Sequence, residues 1–184
     1  MNLPVSGDIL REMTVYASLV AGSNGATSLN GRSSGLSTAA DRARFLQRHR
    51  NAAAFIIGKK SAAIESYAAT QVPIFIFTRS TDQLALPHPL MQQVTVDRNL
   101  AEITQLIDLR ITGDIVVEAG ASLLLALIRV GVINILELSI SPVAGDGDFI
   151  DIEDLLSHFE VVTVREIDGT RLLECRYKGD SANS

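Results

Sequence analysis

Three short segments of this chain are apolar at almost every position: AAFIIG (Ala53–Gly58), VPIFIFT (Val72–Thr78) and DIVVE (Asp114–Glu118). A strand that shows one face to water alternates apolar and polar residues, whereas a strand covered on both faces does not. These uninterrupted, β-branched runs therefore predict strands buried on both sides. Such strands belong to a parallel sheet clad by helices. TVYASLVA (Thr14–Ala21) reads as a first strand of the same sheet and QVTV (Gln93–Val96) as a further short one. With 184 residues, 47% hydrophobic, 5% aromatic and no Trp, the core has to be aliphatic, as such a sheet requires.

Helical segments alternate with these strands. TAADRARFLQRHR (Thr38–Arg50) carries a capping Thr38 and places Asp41 in its first turn, with Ala39, Ala43 and Leu46, or Ala39, Arg42 and Leu46, as the expected inner face. Lys59–Thr70 predicts a short helix or turn. RNLAEITQLIDLR (Arg98–Arg110) is amphipathic through Leu100, Ile103, Leu106 and Ile107, and GASLLLALIRVG is closed by Gly131. The pattern then changes. NILELSISPV (Asn134–Val143) alternates, and FEVVTVREID and TRLLECRYK meet at Asp168-Gly169, a strong hairpin signal. The expected fold class is α/β: one domain over residues 14–178, a mostly parallel central sheet, an antiparallel C-terminal edge hairpin and helices on both faces. Residues 1–13 form a lead-in, with a short helix from Asp8 to Met13, and residues 179–184 form a disordered tail.

The net charge of −5 is spread along the chain without a basic block, so nucleic acid is not an expected partner. No apolar run is long enough to span a bilayer and no secretory leader is visible, which predicts a cytoplasmic protein. The single cysteine, Cys175, and three scattered histidines offer neither a disulfide framework nor a metal site.

Parallel sheets bind ligands at the carboxyl ends of their strands. Small, polar or charged residues stand at these ends: Gly22–Gly25 after the first strand, Gly58-Lys59-Lys60-Ser61 after the next, Thr78-Arg79-Ser80, and Glu118-Ala119-Gly120-Ala121-Ser122. The last segment runs into a helix, whose N-terminal N–H groups beside a glycine suit a phosphate. It reads equally as a tight turn of small packing residues. A phosphate there would repel Glu118, which is therefore expected to point elsewhere. Arg79 between two hydroxyls suits an anion such as the 2′-phosphate of NADP, or simply solvent. Lys59-Lys60 reads as a solvated pair. The Gly22–Thr38 loop is long for a compact domain, which marks it as functional or disordered. Its Asn24-Gly25 pair is first of all a turn.

Taken in order, AGSNGATSLNGRSSGLSTAADRARF, FIIGKKSAAIE and VEAGASLLLALIRVGVINILELSISPVAGDGD resemble the reductase domain of the riboflavin-biosynthesis deaminase/reductase. That domain belongs to the dihydrofolate-reductase-like superfamily, and the likeness is to its stand-alone pyrimidine-reductase branch. The resemblance spans roughly residues 14–177. It implies an NADPH-dependent reductase of a pyrimidine or pterin-like substrate, similar to 5-amino-6-(5-phosphoribosylamino)uracil reductase. By position, Ala21, Gly58, Ser61, Glu65, Thr78, Arg79 and Ser80 would lie near NADPH, and Gly120, Ala121, Ser122 and Leu123 would cradle its pyrophosphate. Glu118 and Asn24 would serve catalysis; Ser34, Leu36 and His49 would line the substrate. A homodimer through the C-terminal strands is implied as well. The chain departs from the family text at Asn24, usually Asp, at His49, usually Arg, and at Ala121, usually Pro. It also lacks the family's downstream Arg between Glu65 and Val72, and GDGD stands for a glycine run. Two alternatives follow: a diverged, non-catalytic nucleotide-binding protein, or a reductase of a different small carbonyl or imine compound.

Overall fold

A computed structural model describes residues 13–64, 67, 69–96 and 111–179. The expected helices at 8–13 and 98–110, the expected tail and the candidate Glu65 lie outside the described residues, Met13 and Gly179 excepted.

The chain builds β1 (Val15–Ala21), β2 (Ala26–Ser28), α1 (Ala39–Asn51), β3 (Ala54–Gly58), α2 (Lys59–Ile64), β4 (Ile74–Thr78) and β5 (Met91–Thr95). After the undescribed segment come β6 (Ile115–Glu118), α3 (Ala121–Arg129), β7 (Ile135–Ile140), β8 (Gly147–Phe149), α4 (Ile152–Ser157), β9 (Phe159–Ile167) and β10 (Thr170–Tyr177). Eight strands form one sheet in the order β5-β4-β3-β6-β1-β7-β10-β9. Pairing is parallel from β5 to β7 and antiparallel at β7–β10 and β10–β9. The mostly parallel sheet with an antiparallel edge hairpin is as the sequence predicts. Asp168 and Gly169 have φ of 49° and 76°, so both turn residues take the left-handed conformation a two-residue hairpin requires.

Side-chain alternation separates the two faces of the sheet. Ala17, Ile56, Val117, Leu136 and Leu138 pack with Leu124, Leu127 and Ile128 of α3 into a mainly aliphatic core that also takes in Phe77 and Phe159. On the other face lies α1. There the expectation for its inner face is corrected: Ala39, Arg42, Ala43 and Leu46 are exposed, Leu46 at 37%. Asp41, Arg44, Phe45, Arg48 and His49 turn inward instead. The cause is the surface beneath. Tyr16, Glu118, Glu137 and Ser139 project from β1, β6 and β7 on this face, and a helix of Ala and Leu would leave their polar atoms unpaired.

A second correction concerns the Gly22–Thr38 loop, which has structure of its own. β2 pairs with β8 in a two-stranded sheet, a 3-10 turn spans Ser33–Gly35, and Leu36 is fully buried. Asp146 accepts from the Asn30 backbone N–H at 3.0 Å, and Thr27 Oγ1 donates to the Asp148 carbonyl at 2.7 Å. The loop after β1 is thus bound to the loop after β7.

Candidate functional site

The sheet is open at one place. β1 pairs with β6 only as far as Ala17↔Val117, but with β7 as far as Ala21↔Ile140. Beyond Val117, β1 continues for four residues, about 13 Å, without β6 beside it. The β6 chain has turned away at Ala119-Gly120 into α3. Gly120 caps that helix through its backbone alone, and its carbonyl accepts from Leu123 and Leu124 N–H at 3.1 Å. The N–H groups of Ala121 and Ser122 bond to no acceptor among the described residues. A Cβ at Gly120 would meet nothing within 4 Å. The α3 N-terminus is therefore an open donor site in a helix long enough to carry a dipole.

Gly58 lies beside it: a Cβ there would sit 3.9 Å from Leu123 Cδ2. Ser61 is in α2, directly past β3, with Lys59 and Lys60 exposed. Thr78 is buried at the end of β4, and its Oγ1 accepts from Ser80 N–H at 3.0 Å. That bond leaves Arg79 exposed at the turn, with no ion pair among the described residues. Ser80 donates to Asp82 at 3.0 Å, and Gln93 holds this loop through Leu84 N–H and the Ser80 and Asp82 carbonyls. Ala21 is fully buried at the end of β1.

Glu118 points to the opposite face, beneath α1. His49 Nε2 bonds Glu118 Oε1, and Tyr67 donates its hydroxyl to Oε2 at 3.2 Å. The Glu118 side chain is 9% exposed and that of His49 24%. The imidazole lies against the Phe45 and Phe55 rings, each centroid 4.4 Å away and tilted by 38° and 39°. The strand ends at Glu118, which faces α1, and the turn at Ala119-Gly120 carries the chain into α3 on the other face of the sheet. Tyr67 was not legible as a partner, because it follows α2 in a segment without periodic pattern.

The rest of the α1 face is a buried charge network that sequence reasoning missed. Arg48 forks onto Glu137, Nη2 to Oε1 at 2.5 Å and Nε to Oε2 at 3.3 Å. It lies 3.9 Å from Asp114 and stacks 3.5 Å over the Tyr16 ring. Arg44 donates to Ser139 at 2.7 Å and to the Leu173 carbonyl at 2.9 Å. Asp41 accepts from Ser139 at 2.5 Å and from Ser37. Burial would lower the Arg48 pKa, but the hydrogen bond and charge of Glu137 outweigh it and raise it. For Arg44 burial wins over Glu137 and Asp41, and its pKa is lowered. The legible signal was polar residues at i, i+3, i+7 and i+8 of α1 (Asp41, Arg44, Arg48 and His49) facing a strand that alternates Glu137 and Ser139.

Asn24 and Ser34 are not brought to Glu118 by any hydrogen bond. The Asn24 amide grips Gly145 at both ends, Nδ2 donating to its carbonyl at 2.9 Å and Oδ1 accepting from its N–H at 3.0 Å. Ser34 is exposed in the 3-10 turn. A shallow open cleft of about 620 Å³ borders Asn24, between Ser23, Gly25, Phe149, Asp151 and Glu153, and includes neither Glu118 nor the α3 N-terminus. Among the described residues no cluster of metal-ligating side chains occurs, and no helix is long and apolar enough to cross a membrane.

This arrangement of strands is that of the dihydrofolate-reductase-like fold. Among solved structures the chain is similar to a pyrimidine reductase-like protein from Corynebacterium diphtheriae, with TM-score 0.68, 16% identity, 91% of this chain and 93% of that one covered. It is similar also to dihydrofolate reductase from Enterococcus faecalis complexed with NADP(H), with TM-score 0.64, 15% identity and 90% and 96% covered. Acinetobacter baumannii RibD matches with TM-score 0.64 and 17% identity over 89% of this chain. The chain spans 57% of that protein's length. At these identities the likeness is one of fold. No family model and no curated protein sequence matches the chain.

Proposed function

We propose that the chain is an NADPH-dependent reductase of a small heterocyclic, carbonyl or imine substrate, with the cofactor at the carboxyl ends of β3, β4 and β6. The observation that carries this reading is the gap beside β1, with the open donors of α3 next to Gly58 and the exposed Lys59, Lys60 and Arg79 just past the carboxyl ends of β3 and β4. These residues suit the cofactor: N–H donors and Gly120 for a pyrophosphate, and cations for further phosphate charge. The bound cofactor would supply a hydride, so no protein nucleophile is needed. Ala21 and Gly58 would leave the reacting ring room, Thr78 and Ser80 would shape the Arg79 turn, and Ser61 would lie alongside. Glu118, His49 and Tyr67 would line the substrate side under α1, and Leu36 would support the loop that closes it. Asn24 would act by holding the loops after β1 and β7 together. The fold neighbours titled as reductases support this reading, one of them complexed with NADP(H).

The exposed apolar residues of β9 support a homodimer through the C-terminal strands: Val161, Val162, Val164 and Ile167 are 41–55% exposed. One observation favours a second reading, a protein that binds the nucleotide without turning it over. Both Glu118 oxygens already have partners, and the Asn24 amide is engaged by Gly145.

Calorimetric titration of NADPH and NADH into the protein and its Arg79→Ala variant tests the cofactor site. NADPH should bind more tightly than NADH, and the variant should lose the difference. Binding of neither nucleotide would refute the reading. NADPH binding without oxidation across a panel of pyrimidines, pterins and imines would favour the second.

A further inference from the structure

The charges at the carboxyl ends divide into two fields. On the β3–β4 side, Lys59, Lys60 and Arg79 are exposed and have no carboxylate partner among the described residues. Beneath α1 the balance is reversed. Asp41, Glu118 and Glu137 face two guanidiniums, Arg44 and Arg48, and both of these are spent: Arg44 on Ser139 and the Leu173 carbonyl, Arg48 on Glu137, the Tyr16 ring and Asp114 at the amino end of β6. His49, the nearest group able to take a positive charge beside Glu118, is committed to that carboxylate and lies against two phenyl rings. Arg42 is exposed and rests over the Phe45 ring, 5.2 Å from its centroid. A phosphate entering here would meet a carboxylate whose neighbouring cations are already neutralised, in a half-buried site where repulsion is little screened.

We infer that the α1 side of the site excludes phosphate and admits uncharged or cationic ligand groups, with His49 and Glu118 as the specificity-determining pair. Phosphate groups are confined to the Lys59–Lys60–Arg79 side. This rests on the reductase reading only in calling the α1-side ligand the substrate, which then carries no phosphate against His49; the charge partition stands on the geometry alone.

The test is a titration of inorganic pyrophosphate into the isotope-labelled full chain at constant ionic strength, followed by NMR. Saturable shifts are expected at the amides of residues 59–61, 79–80 and 121–122, with the His49 ring and the Arg42 Nε–H unmoved. A saturable shift at His49 or Arg42 would overturn the exclusion, and no saturable shift anywhere would overturn the partition. In Glu118→Gln, of the same shape, pyrophosphate should reach His49 with affinity raised about tenfold or more. A folded variant that gains nothing would show that the carboxylate is not the excluding group. NADPH added in a separate titration distinguishes the two readings. If it moves none of these amides while pyrophosphate does, the reductase reading fails and the partition remains.

Discussion

Arg48→Ala tests whether the polar face of α1 is held by its ion pair. Glu137 is 4% exposed and Arg48 is its fork partner through two nitrogens. Truncating Arg48 leaves a carboxylate in the interior beside Asp114, with no cation in contact. Breaking a buried pair in this way costs about 3–5 kcal/mol. Arg48 keeps 18% of its side chain exposed, so the lower end applies to the ion pair. Loss of its stacking on Tyr16 adds about 0.5–1 kcal/mol. The sum is about 3.5–4 kcal/mol, a fall of roughly 7–16 °C in Tm for a chain of this size. The assay is urea and thermal unfolding followed by circular dichroism. The double variant Arg48→Met, Glu137→Leu removes both charges and should recover to within about 1 kcal/mol of the parent, because desolvating the pair offsets most of its attraction. Arg48 itself brings no pH dependence in the usual range. Its folded pKa is raised, so its contribution is full at every pH below the ordinary guanidinium value and is lost only above it. A single variant costing less than about 1 kcal/mol would refute the reasoning, as would a double variant no more stable than the single.

Burial pushes the Cys175 thiol up from 9.0 to about 11, with Arg44 opposing and Glu174 adding. Stability tied to this group is therefore full below about pH 9 and lost as pH rises towards about 11, by roughly 2–3 kcal/mol; unfolding midpoints should fall over that window in the parent and less in Cys175→Ala, and equal slopes would remove Cys175 as the cause. Gly145→Ala would set a Cβ on the Ser28 carbonyl and 2.6 Å from the Ala26 Cβ, both backbone or rigid, so about 1–3 kcal/mol should be lost, with faster hydrogen exchange in β2 and β8. Unchanged exchange there would mean the two loops are not held by this contact. The homodimer reading predicts that Val162→Lys with Val164→Lys converts a sedimenting dimer into a monomer; a parent that is monomeric at micromolar concentration would end that reading.

What was legible in the sequence follows from how strongly each pattern constrains its surroundings. Buried strands such as AAFIIG and the Asp168-Gly169 hairpin carry their signal within a few residues, and each was found at its place. The inner face of α1 was misread because periodicity assumes that a helix buries its apolar side. Here Ala39, Ala43 and Leu46 lie outward, and the decision was made by Glu137 and Ser139, ninety or more residues away in the chain. β2 and β8 were missed for a similar reason: two three-residue strands are visible only as a pair, and they pair across the loops after β1 and β7.

The candidate site divides along the same line. Gly120 and the α3 start were readable because a glycine between strand and helix is a local device. The surroundings of Glu118 were not, since His49 and Tyr67 reach it from separate segments. Position 49 is also where the chain departs from the arginine of the family it resembles. An arginine would bring a permanent charge and a fork of five donors; an imidazole against two phenyl rings brings a donor that its own partner, Glu118, already occupies. An imidazole in place of an arginine would therefore change what the α1 side can hold while leaving the α3 N-terminus, whose helix packs on the other face of the sheet, chemically as it was. On the reading proposed above, divergence at such a site would alter the substrate before the cofactor, because backbone N–H groups would hold the cofactor and no side-chain substitution at position 49 removes them.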